Sequence, residues 1–275
     1  MEHPLRPPEG PALLLRFERL CGLSPPDDPC QRLAQVVRAF ARLPYENLTK
    51  ILKLAERGAP VDARRGPAEV IADHQRLGTG GTCFSLTATL LHLVRAAGFR
   101  AWPILADRRY GPDTHCAVLV EVDGRDHLLD PGYLLDRPVV LPRREPLEIA
   151  GAARRLALEP TRDGRSVELT SYVGKTRRVR LTFKAEPADE VDFLRAWDAS
   201  FSWEAMRYPV VTALRAGRHL YLQGNRLQER TQGKVRKSEI DPDQLPSRLG
   251  ADFGIAPEVA ARALSVLRRA GERHG

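Results

Sequence analysis

Leu13, Phe17 and Leu20 recur at helical spacing, as do Leu33, Val36, Val37, Phe40 and Leu43, so residues 12–77 read as mostly helical. Pro44 stops the second of these helices. A further helix is predicted from Pro67, just after Gly66, to about Leu77, where Gly78, Thr79, Gly80 and Gly81 break the pattern. The next begins near Cys83 and carries Leu86, Leu90, Leu91, Leu93, Val94 and Ala97, with Gly98 placed to close it. From Phe99 the period changes to two. Short strands are predicted at Ala101–Leu105, His115–Val122, Arg125–Asp130, Arg154–Leu158, Val167–Val173 and Arg177–Lys184, which suggests an antiparallel barrel or sandwich. The remainder should hold a helix over Glu186–Asp198 with Pro187 in its first turn, and strands at Arg218–Gln223 and Lys234–Ile240. A last helix from Pro257 to about Ala270 lines up Ala260, Ala263, Leu264 and Leu267. There is no internal repeat. The pattern is that of an α+β protein: a helical bundle over 1–98, a β-domain over 99–185 and a small α/β region over 186–275.

With 275 residues, 43% of them hydrophobic, the chain is long enough to bury one large core or several smaller ones. Its longest apolar run, Cys116 to Val120, is far too short to span a bilayer, and its first residues, MEHPLRPPEG, lack an apolar signal region. The expectation is a cytoplasmic protein with no membrane partner. The net charge of +8 comes mostly from arginines scattered through every segment. Even the run Arg177, Arg178, Val179, Arg180 reads as solvated surface, so no nucleic-acid partner is expected. Cys21, Cys30, Cys83 and Cys116 show no metal-ligand spacing and are taken as free thiols, with no metal site.

Two local signals carry the chemistry. Gly80, Gly81 and Thr82 deliver Cys83 tightly to a helix N-terminus, where a thiol pKa falls and backbone N–H groups can face a developing oxyanion. Asp123-Gly124 is a strong two-residue hairpin signal. It sets Val118 opposite Leu129 and Val122 opposite Arg125, so that Asp130 lies opposite Ala117 and shares a face with His115. A carboxylate on one imidazole nitrogen fixes the tautomer and leaves the other to take a thiol proton. Cys83, His115 and Asp130 are then nucleophile, base and orienter. By the same parity His127 pairs with Val120 on the opposite face and Cys116 points away from His115; both read as packing or surface.

These residues resemble those of the arylamine N-acetyltransferases. Leu43-Pro44-Tyr45-Glu46-Asn47-Leu48 is similar to that family's apolar-Pro-Phe-Glu-Asn-Leu block, and Gly80-Gly81-Thr82-Cys83-Phe84 to its Arg-Gly-Gly-x-Cys-Phe block without the arginine. His115 stands at the place of the triad histidine, and Asp130-Pro131-Gly132-Tyr133 is similar to Asp-Val-Gly-Phe. The resemblance runs to about residue 140. It implies a helical bundle, an antiparallel β-barrel and a C-terminal α/β lid around a cysteine-protease-like Cys-His-Asp core. It also implies a ping-pong reaction with no bound cofactor, in which acetyl-CoA or another acyl-CoA donates through an acyl-cysteine to a small arylamine-like acceptor. Tyr45 would line the acceptor pocket, and Gly132 and Tyr133 would lie near the donor. Thr79, Ser85 and Thr87 depart from the family's Arg, Glu and Asn, so charge pairing around the nucleophile must differ. The same triad also suits amide formation from a carrier-protein thioester, transglutaminase-like or papain-like hydrolysis, or a binding relative that has lost turnover.

Overall fold

The computed structural model describes residues 3–8, 10–150, 155–173, 176–231 and 234–272. The first third is helical: α1 (Pro11–Leu20), α2 (Pro29–Phe40), α3 (Leu48–Arg57), α4 (Pro60–Ala63), α5 (Pro67–Leu77) and α6 (Cys83–Ala96), with a two-residue strand β1 (Tyr45–Glu46) before α3. Asp28 caps α2 by accepting from the Cys30 and Gln31 N–H groups, and Pro29 takes the first position, where no N–H is needed. Every residue from Cys83 to Val94 is buried, so α6 is the central helix and the others pack around it.

Eight strands follow: β2 (Ala101–Arg108), β3 (Gly111–Val122), β4 (Arg125–Leu129), β5 (Val139–Val140), β6 (Leu147–Ala150), β7 (Arg155–Pro160), β8 (Ser166–Val173) and β9 (Thr176–Lys184). They form one antiparallel sheet in the order β5-β4-β3-β2-β9-β8-β7-β6. Ile104, Ala117, Leu128, Val139, Ile149, Leu156, Leu169 and Phe183, one from each strand, share a single core, so the sheet coils on itself as a barrel. Asp123 and Gly124 have φ of 49° and 69°, as a tight primed turn requires, and Val118 faces Leu129 while Val122 faces Arg125. Of the strand predicted at Arg154–Leu158, Arg154 lies outside the described residues.

The final part holds α7 (Glu190–Ala199), β10 (Val210–Arg215), β11 (Arg218–Gln223), β12 (Arg226–Thr231), β13 (Lys234–Glu239), the short α8 (Leu245–Arg248) and α9 (Pro257–Glu272). The helix expected from Glu186 starts four residues later. Asp189 is its cap, accepting from Val191 N–H at 2.7 Å, and Pro187 lies outside the helix. Strands β10 to β13 form a second antiparallel sheet whose edge is β1, with Tyr45 opposite Thr212 and Glu46 opposite Val211. This sheet shares a core with α9 and with Leu48 of α3. Phe193, Trp197 and Phe201 return to the helical core, where Phe84 stacks on Trp197.

The Pro-Tyr-Glu-Asn-Leu block proves to be scaffolding in its polar members. Asn47 Nδ2 donates to the carbonyls of Ala205 and Tyr208 and its Oδ1 accepts from Val210 N–H. Glu46, fully buried, accepts from Thr49 N–H and Thr49 Oγ1 and faces the guanidinium of Arg65 at 3.7 Å. Arg65, 3% exposed, also donates to the Gly80 carbonyl at 2.6 Å and pairs with Asp73 at 2.9 Å. Gly80 itself is pressed against the chain at Pro44, and a Cβ there would lie 1.9 Å from the Pro44 oxygen. Arg65→Met removes one partner from a buried ionic cluster and should destabilise the fold by about 3 kcal/mol, read from denaturant unfolding. A loss under about 1 kcal/mol would show that the cluster is solvated or redundant.

Candidate active site

Cys83 is the first residue of α6 and only 1% exposed. Thr82 before it has an extended backbone and makes no side-chain cap, so the positive end of the helix dipole falls at the thiol. His115 comes from β3 and Asp130 from the residue after β4, and both are fully buried. The hairpin register brings them together: His115 Nε2–H donates to Asp130 Oδ2 at 2.8 Å and to Oδ1 at 3.0 Å. Asp130 Oδ1 also accepts from Tyr133 N–H at 2.8 Å, which fixes the carboxylate in turn. The thiol of Cys83 faces the same imidazole.

Gly132 fits where little else would. A Cβ on it would lie 2.8 Å from His115 Cε1 and 3.0 Å from Cys83 Cβ, so it sits against both side chains. Tyr133 packs its ring on the barrel core. Tyr45 is half-buried and, with Lys50, Phe84, Trp203 and Met206, lines a narrow cleft beside Thr82. His127 stands apart, its ring bonded to the Arg125 carbonyl of its own strand. Cys116 lies on the opposite face from His115, as parity requires, and turns toward α6, where its thiol meets Thr87 Oγ1 and Cys83.

Three neighbours of the thiol were missed by the sequence reading because nothing local marks them. Cys116 is one: its thiol bonds to Thr87 Oγ1 at 3.4 Å and acts on Cys83 across the strand–helix contact. Lys50 is another, 5% exposed, with Nζ bonded to Ser200 Oγ and 4.2 Å from the Phe201 ring centre. Burial pulls its pKa down to about 7. The third is Arg108, whose Nη2 donates to His115 Nδ1 at 2.9 Å and whose Nη1 donates to Tyr110 Oη at 2.9 Å. The backbone of Arg108 is held by Thr114 Oγ1 at the register shift in the β2–β3 hairpin.

The Cys83 pKa is held well below the ordinary thiol range, first by the hydrogen bond from Cys116, then, against the pull of burial, by His115 and Arg108. Cys116 moves the opposite way, pushed well up by burial and by its bond to Cys83. Burial alone would lower the His115 pKa, but the charge and hydrogen bond of Asp130 outweigh it and the pKa is raised. Arg108 opposes that rise. Its bond to Nδ1 needs the nitrogen's lone pair, so this arrangement belongs to a neutral imidazole with its proton on Nε2.

An ordinary thiol loses nucleophilicity as pH falls below about 8.5. A depressed pKa keeps the thiolate until pH falls through that lower value, so as pH drops from about 8 to about 6 iodoacetamide labelling of Cys83 should slow far less than that of an ordinary thiol. Over that range Cys21 and Cys30, whose pKa values are raised mainly by burial, should slow about tenfold per unit. Peptide mapping with time decides it, and a Cys83 rate that fell in parallel with those two would refute the assignment. Gly132→Ala should leave the melting temperature within a few degrees but slow Cys83 labelling at pH 6 by at least about tenfold, because its methyl parts thiol from imidazole.

Residues 30–262 match the profile of a family described as N-acetyltransferase. The fold is similar to that of an arylamine N-acetyltransferase from Mycobacterium abscessus, at 19% identity over 96% of this chain and 99% of that one, with a TM-score of 0.80. It is also similar to the Mycobacterium marinum arylamine N-acetyltransferase in complex with CoA, at 17% identity over 92% and 96% of the two chains and a TM-score of 0.77. A Bacillus cereus arylamine N-acetyltransferase described as having a Cys-His-Glu catalytic triad matches at 18% identity over 89% and 98%, with a TM-score of 0.71. No curated protein matches the sequence. The match over residues 30–262 makes this chain a member of the N-acetyltransferase family.

Proposed function

We propose that the protein moves an acetyl or other acyl group from an acyl-CoA to a small arylamine-like acceptor through an acyl-Cys83 intermediate. The observation that carries this reading is the buried line of Cys83, His115 and Asp130 at the start of the central helix. Cys83 passes its thiol proton to His115 Nδ1 as Sγ attacks the thioester carbonyl carbon; the bond from that carbon to the CoA sulfur breaks, and that proton leaves with the CoA thiol. The acceptor nitrogen then attacks the acyl-Cys83 carbonyl, His115 Nδ1 takes its proton, and the Cys83 thiolate departs. Asp130 keeps the second proton on Nε2 throughout and stabilises the imidazolium. With all three side chains at 0–1% exposure, bulk water has little access to the acyl-enzyme, which favours transfer over hydrolysis.

In this reading Tyr45 lines the acceptor cleft, and Gly132 and Tyr133 flank the path of the donor. Residues 1–98 supply the nucleophile, 99–185 the histidine and aspartate, and 186–275 the cover. A larger cleft of about 450 Å³ runs along α7, but it reaches none of the three catalytic side chains. Its carboxylates, Asp113, Glu186, Asp189 and Asp192, outnumber Lys184 and Arg195, which does not suit the phosphates of CoA. A nucleic-acid partner has no place in the scheme: Arg177, in the basic run of β9, is paired with Glu159 and Glu168. No helix among the described residues is long and apolar enough to cross a membrane. The site of action assigned is the cytoplasm.

Incubation with acetyl-CoA should leave one acetyl group on Cys83 by intact mass and peptide mapping, and Cys83→Ala should take none. Asp130→Asn should stay folded yet lower turnover by about 10⁴-fold through the wrong tautomer, while His127→Gln should change it little. A folded, fully active Asp130→Asn protein would make the carboxylate structural and the triad assignment wrong.

A further inference from the structure

Arg108 is a charge without a carboxylate. Among the described residues its guanidinium meets only His115 Nδ1, Tyr110 Oη and the Tyr110 ring, over which it lies 5.9 Å from the centre, while its Nε is buried and bonded to no protein group. A buried donor left without a partner is costly to a fold, and a guanidinium in such a place is shaped to hold a carboxylate by two parallel bonds. Its position is equally specific. Nη2 occupies the nitrogen that must take the proton of Cys83, so guanidinium and thiol share one imidazole, and the charge of Arg108 acts on that thiol. Burial works against the charged form of Arg108, yet the Tyr110, Tyr45 and Cys83 groups around it raise its pKa, so the charge persists. The backbone is braced for this placement by the Thr114 hydroxyl, itself donating to the Gly111 carbonyl.

Resting on the acyl-transfer reading above, we infer that Arg108 is the acyl-specificity residue: it binds the free carboxylate of a short dicarboxylic acyl group, such as malonyl or succinyl, carried as its CoA thioester. In a malonyl or succinyl thioester the carboxylate lies two or three bonds from the carbon under attack, on the scale that separates the acyl carbon from a guanidinium bonded to the same imidazole that the thiol faces. A carboxylate on the far side of an aryl acceptor lies a ring's width further off, because the acceptor nitrogen must itself occupy the space beside Nδ1 and the thioester. Binding the carboxylate draws Nη2 from His115 Nδ1 and frees that nitrogen for the thiol proton, so the right acyl group also releases the base. No bond to the carboxylate is made or broken; it is carried through unchanged.

The test compares kcat/KM for malonyl-CoA, succinyl-CoA and acetyl-CoA, with an uncharged aniline as acceptor, in the whole protein and in Arg108→Gln and Arg108→Lys, each checked for its melting temperature. The expected result is a preference for a dicarboxylic donor over acetyl-CoA that falls at least about tenfold in Arg108→Gln and is partly kept by Arg108→Lys, which retains the charge but not the fork. A ratio unchanged in Arg108→Gln, or an acetyl preference in the parent protein, overturns the inference. So does an Arg108→Gln effect confined to the choice between 2-aminobenzoate and aniline with acetyl-CoA, since the guanidinium then reads the acceptor. Intact mass separates these failures from a failure of the underlying reading: no adduct on Cys83 with any of the three thioesters removes acyl transfer itself. An acetyl adduct formed as readily as a malonyl or succinyl one removes only the role of Arg108.

Discussion

The guanidinium of Arg65 holds the site to the scaffold. It lies at 3% exposure between Glu46 on β1, the Gly80 carbonyl in the loop before Cys83, and Asp73 on α5, so three segments that have no covalent reason to meet share one buried charge. Removing such a charge from water is unfavourable, and only a full set of partners offsets it; the arrangement therefore tolerates one geometry. That geometry sets Gly80 and Gly81 against Pro44, which aims the first turn of α6, and with it Cys83, at the end of the barrel. Thr79 stands where the resemblance calls for arginine, and here a guanidinium reaches the neighbouring residue's carbonyl from Arg65 on the loop before α5.

The barrel makes the complementary contribution. A tight Asp123-Gly124 turn permits one register, and that register alone places His115 and Asp130 on a common face. Cys83 arrives from a helix that is buried on every side, His115 and Asp130 from a coiled sheet, and Gly132 leaves the gap in which they meet. Around the thiol the hydrogen bond from Cys116 and the charges of His115 and Arg108 outweigh burial, which is why a thiol so deeply buried does not revert to an inert hydrophobic one.

What could be read from the sequence followed from local rules. The spans of α5 and α6, the β3–β4 register and the closeness of His115 to Asp130 came from a proline, a run of glycines and a two-residue turn. What could not be read depended on distant parts of the chain. Lys50 faces Ser200, and Arg65 gathers partners from three elements. The start of α7 was misplaced because Pro187 is a permissible first residue, while Asp189, three residues before Asp192, offered a stronger side-chain cap. Strands β10 and β12 escaped notice: Leu227 is the only buried residue of β12, too few for a pattern of period two.

Asn47 binds the carbonyls of Ala205 and Tyr208 and the N–H of Val210, the last of these partners 163 residues further along the chain. During synthesis β1 therefore waits, without its edge partner, until β10 has left the ribosome. Segments that fold in order from the N-terminus can complete the barrel first, but the strand beside the loop that aims Cys83 joins its sheet only later. A chain interrupted before residue 210 would carry all three chemical residues and still lack the strand pairing that holds them in line.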